Sequence, residues 1–175
     1  TLVTPRDGAR EVRVCSGTFE GKPLCTPIVV MAHNKDVRPE AYAEMKTKHR
    51  PSHADYTYQQ KFGNRNWQGG GRSSARETIG RVAAGAVAKK LLKQRYGVEV
   101  LAYVKQVKKI IADVNPDKVR LRDVEANIVR CPDTAVADKM IRLIERTRKS
   151  GDTVGGLIEG VARGLPVGWG DPVFD

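Results

Sequence analysis

Ser74-Ala75-Arg76-Glu77-Thr78-Ile79-Gly80-Arg81-Val82-Ala83-Ala84-Gly85-Ala86-Val87-Ala88-Lys89-Lys90-Leu91 is the stretch on which the fold turns. Ser74 and Glu77 stand three residues apart, the spacing at which a cap side chain and the third helical residue satisfy each other's unpaired backbone N–H groups. Ile79, Val82, Ala83, Ala86, Val87 and Leu91 then recur at three- and four-residue steps, the period of a helix with one apolar face. Gly97 supplies the stop. Such a helix would run about 33 Å at 1.5 Å per residue. Ala83, Ala84, Gly85 and Ala86 form a band of small side chains along it. Gly85 costs roughly 1 kcal/mol relative to alanine inside a helix, so close approach of another backbone is expected to compensate there.

Downstream, residues 98–107 predict a strand, and 108–114 continue it or bend into the next. Residues 121–127 predict a short helix. Cys131-Pro132-Asp133 opens a longer one, with Ala137, Met140, Ile141 and Ile144 as its buried stripe and Gly151 as its stop. Residues 153–163 predict a last strand. Upstream, residues 10–15 alternate in sidedness as a half-buried strand does, and Gly17 and Gly21-Lys22-Pro23 punctuate a turn. The apolar run Thr26-Pro27-Ile28-Val29-Val30-Met31-Ala32 suits a buried strand, and Glu40 to Lys48 a short helix. Residues 49–74 show neither period, yet Tyr56, Tyr58, Phe62 and Trp67 argue against disorder, so a long ordered loop is expected. This element order lacks the regular βαβ alternation of a doubly wound sheet and predicts an α+β layered domain. Residues 1–175 are expected to be a single domain, and an incomplete one.

Thirty-one Lys and Arg against 20 Asp and Glu give a net charge of +11, which favours anionic partners. The basic residues are scattered, with no basic tail. Aromatics make up 6% and are not interleaved with basic residues as a base-stacking surface requires, so nucleic acid has little support as a partner. No apolar run approaches the roughly 20 residues of a membrane helix. Cys15, Cys25 and Cys131 form no zinc pattern with His33, His49 or His53, so no metal is expected and the thiols suit a reducing, cytosol-like compartment. Thr1 is not an initiator methionine, and both ends are expected to be cut, which leaves any targeting signal undecided.

Gly69-Gly70-Gly71-Arg72-Ser73-Ser74 enters the long helix at its N-terminus, an arrangement suited to an anion. Backbone N–H groups and the helix dipole point at the ligand, while Arg72 and Arg76 add planar forks and Ser73 and Ser74 add hydroxyls. The run is neither a Walker loop nor the dinucleotide fingerprint, and the same pattern also serves as a plain capped helix after a tight turn. His53 sits beside Asp55 and three residues after Arg50, where an acid–base role would need geometry that spacing alone does not give.

Taken together, these stretches are specific. Arg50-Pro51-Ser52-His53-Ala54-Asp55-Tyr56-Thr57-Tyr58, Lys61-Phe62-Gly63, residues 68–78 and residues 81–90 resemble the signature region of the chorismate synthase family. Residues 16–22, 34–38 and the ending Pro172-Val173-Phe174-Asp175 are similar to it too. The resemblance implies a layered β-α-β sandwich, present as a partial domain. It implies a lyase that converts 5-enolpyruvylshikimate 3-phosphate to chorismate by anti 1,4-elimination of phosphate and a ring proton, with reduced FMN, and with NADPH if the enzyme reduces its own flavin. Arg50 and Arg76 match arginines that hold the substrate's anionic groups. His53 matches a histidine that exchanges a proton near the flavin, and Arg72, Ser73 and Ser74 match the FMN-contacting stretch. Asp55 is expected only to orient the loop or His53.

The resemblance implies a cytoplasmic protein, or a plastid one in a plant-like source, that is a homotetramer when full length and has no nucleic-acid or membrane partner. Two departures stand out: Ser52 where many members have glycine, and Leu24-Cys25-Thr26-Pro27 in place of Thr-Gly-Thr-Pro. Asn64-Arg65-Asn66-Trp67 is an uncommon filling of a variable stretch. Further family catalytic residues lie outside this chain, so the chain alone is expected to be inactive. The competing expectation is a non-catalytic phosphate- or nucleic-acid-binding module.

Overall fold

A computed structural model of the chain describes residues 12–33, 39–68 and 75–171. They divide into two compact units, one up to Val87 and one from Ala88.

In the first unit, β1 (Val12–Val14) is followed by β2 (Thr18–Phe19), β3 (Lys22–Pro23) and β4 (Val30–Ala32). β1 pairs antiparallel with β4, with Arg13 opposite Met31, and β2 with β3. The β2–β3 hairpin turns on Glu20 and Gly21, at φ 49° and 74°, the two positive angles that match a tight turn to the twist of its strands. Gly17 (φ 82°) cannot be replaced quietly, because a Cβ there would lie 2.7 Å from the Pro27 carbonyl oxygen. Ser16 Oγ locks the same corner, donating to Pro27 O (3.0 Å) and accepting from Val29 N (3.2 Å). The expected buried strand over 26–32 is shorter than its apolar run, and Val29 and Met31 stay exposed.

A 3-10 helix, Pro39–Lys46, leads to a turn and then α1 (Asp55–Phe62). The expected loop of 49–74 therefore contains a helix. A second 3-10 turn, Ala75–Glu77, opens α2 (Thr78–Tyr96), close to its expected span. Glu77 Oε1 accepts from Arg81 Nη1 at 2.9 Å, one turn on, while Ser74 lies outside the described residues. Among the described residues α2 buries no side chain, and a Cβ at Gly85 would meet nothing within 4 Å. The close approach expected at the small-residue band is not made here.

The second unit is built on β5 (Glu99–Val107), which turns back as β6 (Ile110–Ile111) and then meets α3 (Leu121–Val124), α4 (Thr134–Lys149) and β7 (Gly156–Arg163). The sheet is antiparallel in the order β6-β5-β7, running from Glu99 opposite Arg163 to Val107 opposite Gly156 with a bulge between Val104 and Gln106. α4 starts as expected, with Asp133 as N-cap accepting from Val136 N at 3.0 Å. Its buried stripe is Ala137, Met140 and Leu143, which pack with Val107, Ala112 and Cys131; Ile144 is partly buried against them. A second cluster joins Leu101, Tyr103, Val119 and Val124. Tyr103 donates its hydroxyl to Glu159, which also accepts from Lys105 Nζ at 2.6 Å. Burial, and then this carboxylate, push the phenol up to about 12. Arg163 ties β7 to Glu99 (2.7 Å) and to the Val119 carbonyl (2.6 Å). Among the described residues no helix is long and apolar enough to cross a membrane.

Candidate active site

The turn Arg50-Pro51-Ser52-His53-Ala54 brings the start of α1 back onto Arg50. Pro51 fixes its own φ and keeps Arg50 out of helical backbone, and Ser52 takes φ 56°, a left-handed angle that costs a non-glycine residue about 1–2 kcal/mol. Asp55, the first residue of α1, then faces Arg50 through both carboxylate oxygens. Oδ2 accepts from Arg50 N (3.1 Å) and Nε (2.8 Å), and Oδ1 from Nη2 (2.8 Å). The fork-on-carboxylate pairing is the strong form of this contact. The Asp55 side chain is 3% exposed and that of Arg50 25%. Hydrogen bonding from Arg50 holds the Asp55 carboxyl well below the usual carboxylate range, against the opposing push of burial. The same bond raises the Arg50 guanidinium in turn. The Arg50 guanidinium also lies 5.7 Å from the centre of the Tyr42 ring, which belongs to the 3-10 helix.

His53 sits in the turn itself. Its Nδ1 accepts from Ala54 N at 3.1 Å and stands 3.7 Å from Asp55 Oδ1. An accepting Nδ1 places the ring proton on Nε2. With Nδ1 accepting, Asp55 makes no hydrogen bond to the ring; its carboxylate instead holds, through Arg50, the turn that carries His53.

A fourth member is visible only in the folded chain. Arg65, from the variable stretch after α1, has a side chain only 6% exposed. Its Nη2 donates to the carbonyl oxygens of Met45 and Lys48 (3.0 Å for Lys48), at the end of the 3-10 helix. Its Nη1 is buried without a hydrogen-bond partner among the described residues and lies 4.0 Å from Asp55 Oδ2. An arginine among turn residues is ordinarily taken as exposed. No periodic signal marks this one, because its burial depends on where the 3-10 helix ends.

Arg76 lies half-buried in the 3-10 turn that opens α2. Arg72, Ser73 and Ser74 lie outside the described residues. The described donors suit an oxygen-rich anion: two guanidinium groups share one carboxylate, and one buried N–H still lacks an acceptor. A substrate carboxylate, a substrate phosphate or the phosphate of a flavin would each satisfy that chemistry. Among the described residues no cluster of three or more His, Cys, Asp or Glu could hold a metal.

Comparison with known proteins shows the family. The family model described as chorismate synthase matches residues 1–175. This chain belongs to the chorismate synthase family. Proteins named chorismate synthase from Thermosynechococcus vestitus and Trichormus variabilis are 60% and 59% identical to it over 174 residues. One from Crocosphaera subtropica is 58% identical over the same length. Each match takes in 99% of this chain and 48% of the relative, so the chain spans about half the length of these chorismate synthases. A crystal structure of a chorismate synthase superposes with a TM-score of 0.60 at 24% identity, over 87% of this chain and 44% of its own. That likeness supports the α+β fold of the family.

Proposed function

We propose that the full-length protein carrying this segment is a carbon–oxygen lyase that converts 5-enolpyruvylshikimate 3-phosphate to chorismate and phosphate by anti 1,4-elimination. The observation that carries this reading is the 60% identity over 174 residues to a protein named chorismate synthase. In the reaction a C–O bond to phosphate and a ring C–H bond break, a C=C bond forms, and phosphate and a proton leave. Reduced FMN, when bound, lends the ring the electron density and hydrogen acceptor that an ordinary side-chain base does not provide, with no net redox change.

Arg50 and Arg76 bind the substrate's carboxylates and phosphate. Arg50 spends two of its five guanidinium N–H donors on Asp55, so its grip on substrate is directional and largely offset in charge. His53, carried on the turn that Asp55 fixes through Arg50, presents the exchangeable proton on Nε2. Arg72, Ser73 and Ser74 at the entry to α2 contact FMN. Packing of an apolar face supplies most of the stability of a helix in a folded protein. Among the described residues α2 buries no side chain fully, and Val82 is 72% exposed. That fits residues 1–175 as part of one larger domain, inactive alone. The whole enzyme is then a cytoplasmic homotetramer (plastid-located in a plant-like source), with no nucleic-acid or membrane partner and with NADPH needed only if it reduces its own flavin.

Anaerobic phosphate release from 5-enolpyruvylshikimate 3-phosphate with reduced FMN tests this. The full-length protein should turn over and the 175-residue chain should not; a full-length protein that releases no phosphate refutes the reading.

A further inference from the structure

We infer that Arg65 is a positioning residue for the Arg50–Asp55 pair, an inference that rests on the lyase reading above. One guanidinium joins three pieces of chain. Nη2 holds the carbonyl ends of the 39–46 helix through Met45 and Lys48, where partial negative charge accumulates. Nη1 looks onto Asp55 Oδ2 from 4.0 Å, and the backbone N–H of Arg65 is itself fixed by Asn64 Oδ1 at 2.8 Å. The helix held in this way carries Tyr42, the ring beside the Arg50 guanidinium. Arg50 is therefore gripped on one side by Asp55 and flanked on another by Tyr42, and Arg65 touches the supports of both.

A hydrophobic side chain would fill this buried place without the cost of burying a charge. Lysine would bring the charge without the planar fork that reaches carbonyls and carboxylate together. That Nη1 lacks a hydrogen-bond partner among the described residues fits the same role. At 4.0 Å it adds positive potential at Asp55 without taking a lone pair from Arg50, which keeps both fork contacts and so keeps its orientation toward an anionic ligand. Displacing a substrate-holding group by about 1 Å can cost on the order of a hundredfold in rate. The effect of losing Arg65 should therefore appear in turnover.

The test uses the full-length protein with Arg65→Lys and Arg65→Gln. Three readouts are taken: kcat and KM for phosphate release, the melting transition, and hydrogen exchange at the Arg50 amide, which donates to Asp55. Both variants should melt cooperatively, lose about 10- to 100-fold in kcat, and exchange the Arg50 amide at least about tenfold faster, with Arg65→Lys the milder. Unchanged kcat in Arg65→Gln overturns the inference. So does a fall in kcat with unchanged Arg50 exchange, or an effect confined to KM, which would make Arg65 a binding residue. Loss of the cooperative melt in Arg65→Lys overturns it in favour of a purely structural role. Should the wild type release no phosphate, the lyase reading fails, and the exchange arm alone still decides whether Arg65 orders the pair.

Discussion

Replacing Asp55 by asparagine should loosen the turn that carries Arg50 and His53 by an amount the geometry allows us to work out. The wild-type carboxylate accepts three N–H bonds from Arg50 while 3% exposed. Asparagine keeps one oxygen for the Arg50 backbone N and Nε but turns an NH2 group against Nη2, so one charge-assisted bond becomes a donor–donor conflict. Breaking a buried pair costs about 3–5 kcal/mol when the remaining charge is trapped. Arg50, at 25% exposure, can partly turn to water, which lowers the expectation to roughly 2–3 kcal/mol.

Hydrogen exchange at the Arg50 amide reads this directly. At about 1.4 kcal/mol per factor of ten, protection should fall roughly 25- to 150-fold at pH 7. The pH dependence adds a second check. The folded carboxyl of Asp55 lies below its unfolded value, so its stabilisation is full above the unfolded pKa of about 3.9 and shrinks as pH falls below it. As pH falls from 7 to 3 the wild type should lose part of this stabilisation, which the variant never had, and the gap between them should narrow. A protection change below about threefold at pH 7, or a gap that does not move between pH 7 and pH 3, would refute the reasoning.

Tyr103→Phe should destabilise the second unit by about 1–2 kcal/mol, because it leaves one oxygen of the Glu159 carboxylate without its phenol donor. With the folded phenol raised to about 12, wild-type stability from this group should hold below pH ~10 and fall above it; denaturant melts across that range should show the fall abolished in the variant. Cys25→Gly and Ser52→Gly place glycine at left-handed positions, φ 60° and 56°, and each should raise stability by up to about 1 kcal/mol; a loss in either variant speaks against strain at these turns. His53→Ala in the full-length protein should lower turnover far more than FMN affinity, and equal losses by stopped-flow and flavin titration would contradict its proton role. Arg76→Ala should abolish turnover and weaken substrate binding, so unchanged kinetics would remove it from the site.

α4 was legible because two independent signals agree: the opening Cys131-Pro132-Asp133 and an apolar stripe in helical period, which the structure turns slightly to bury Leu143. α2 was legible from the same period, but its packing was not, since none of its side chains is fully buried among the described residues. α1 was missed because Asp55–Phe62 has no apolar face to repeat; its first residue is held by a charged pair, which composition does not announce. The run 26–32 looked like a buried strand because apolar content speaks for burial only when a partner surface exists. At the site, Arg50, His53 and Asp55 could be grouped by proximity in sequence, and the structure brings them together. Arg65 could not be grouped with them, because it enters across fifteen residues to close the far side of a turn that only the folded chain forms.

The most direct measurement counts products against flavin. With the full-length protein, reduced FMN and 5-enolpyruvylshikimate 3-phosphate under strict anaerobiosis, phosphate and chorismate should appear one to one, many times over for each flavin, which ends the reaction still reduced. No product, phosphate without chorismate, or a flavin consumed once per turnover would contradict the account.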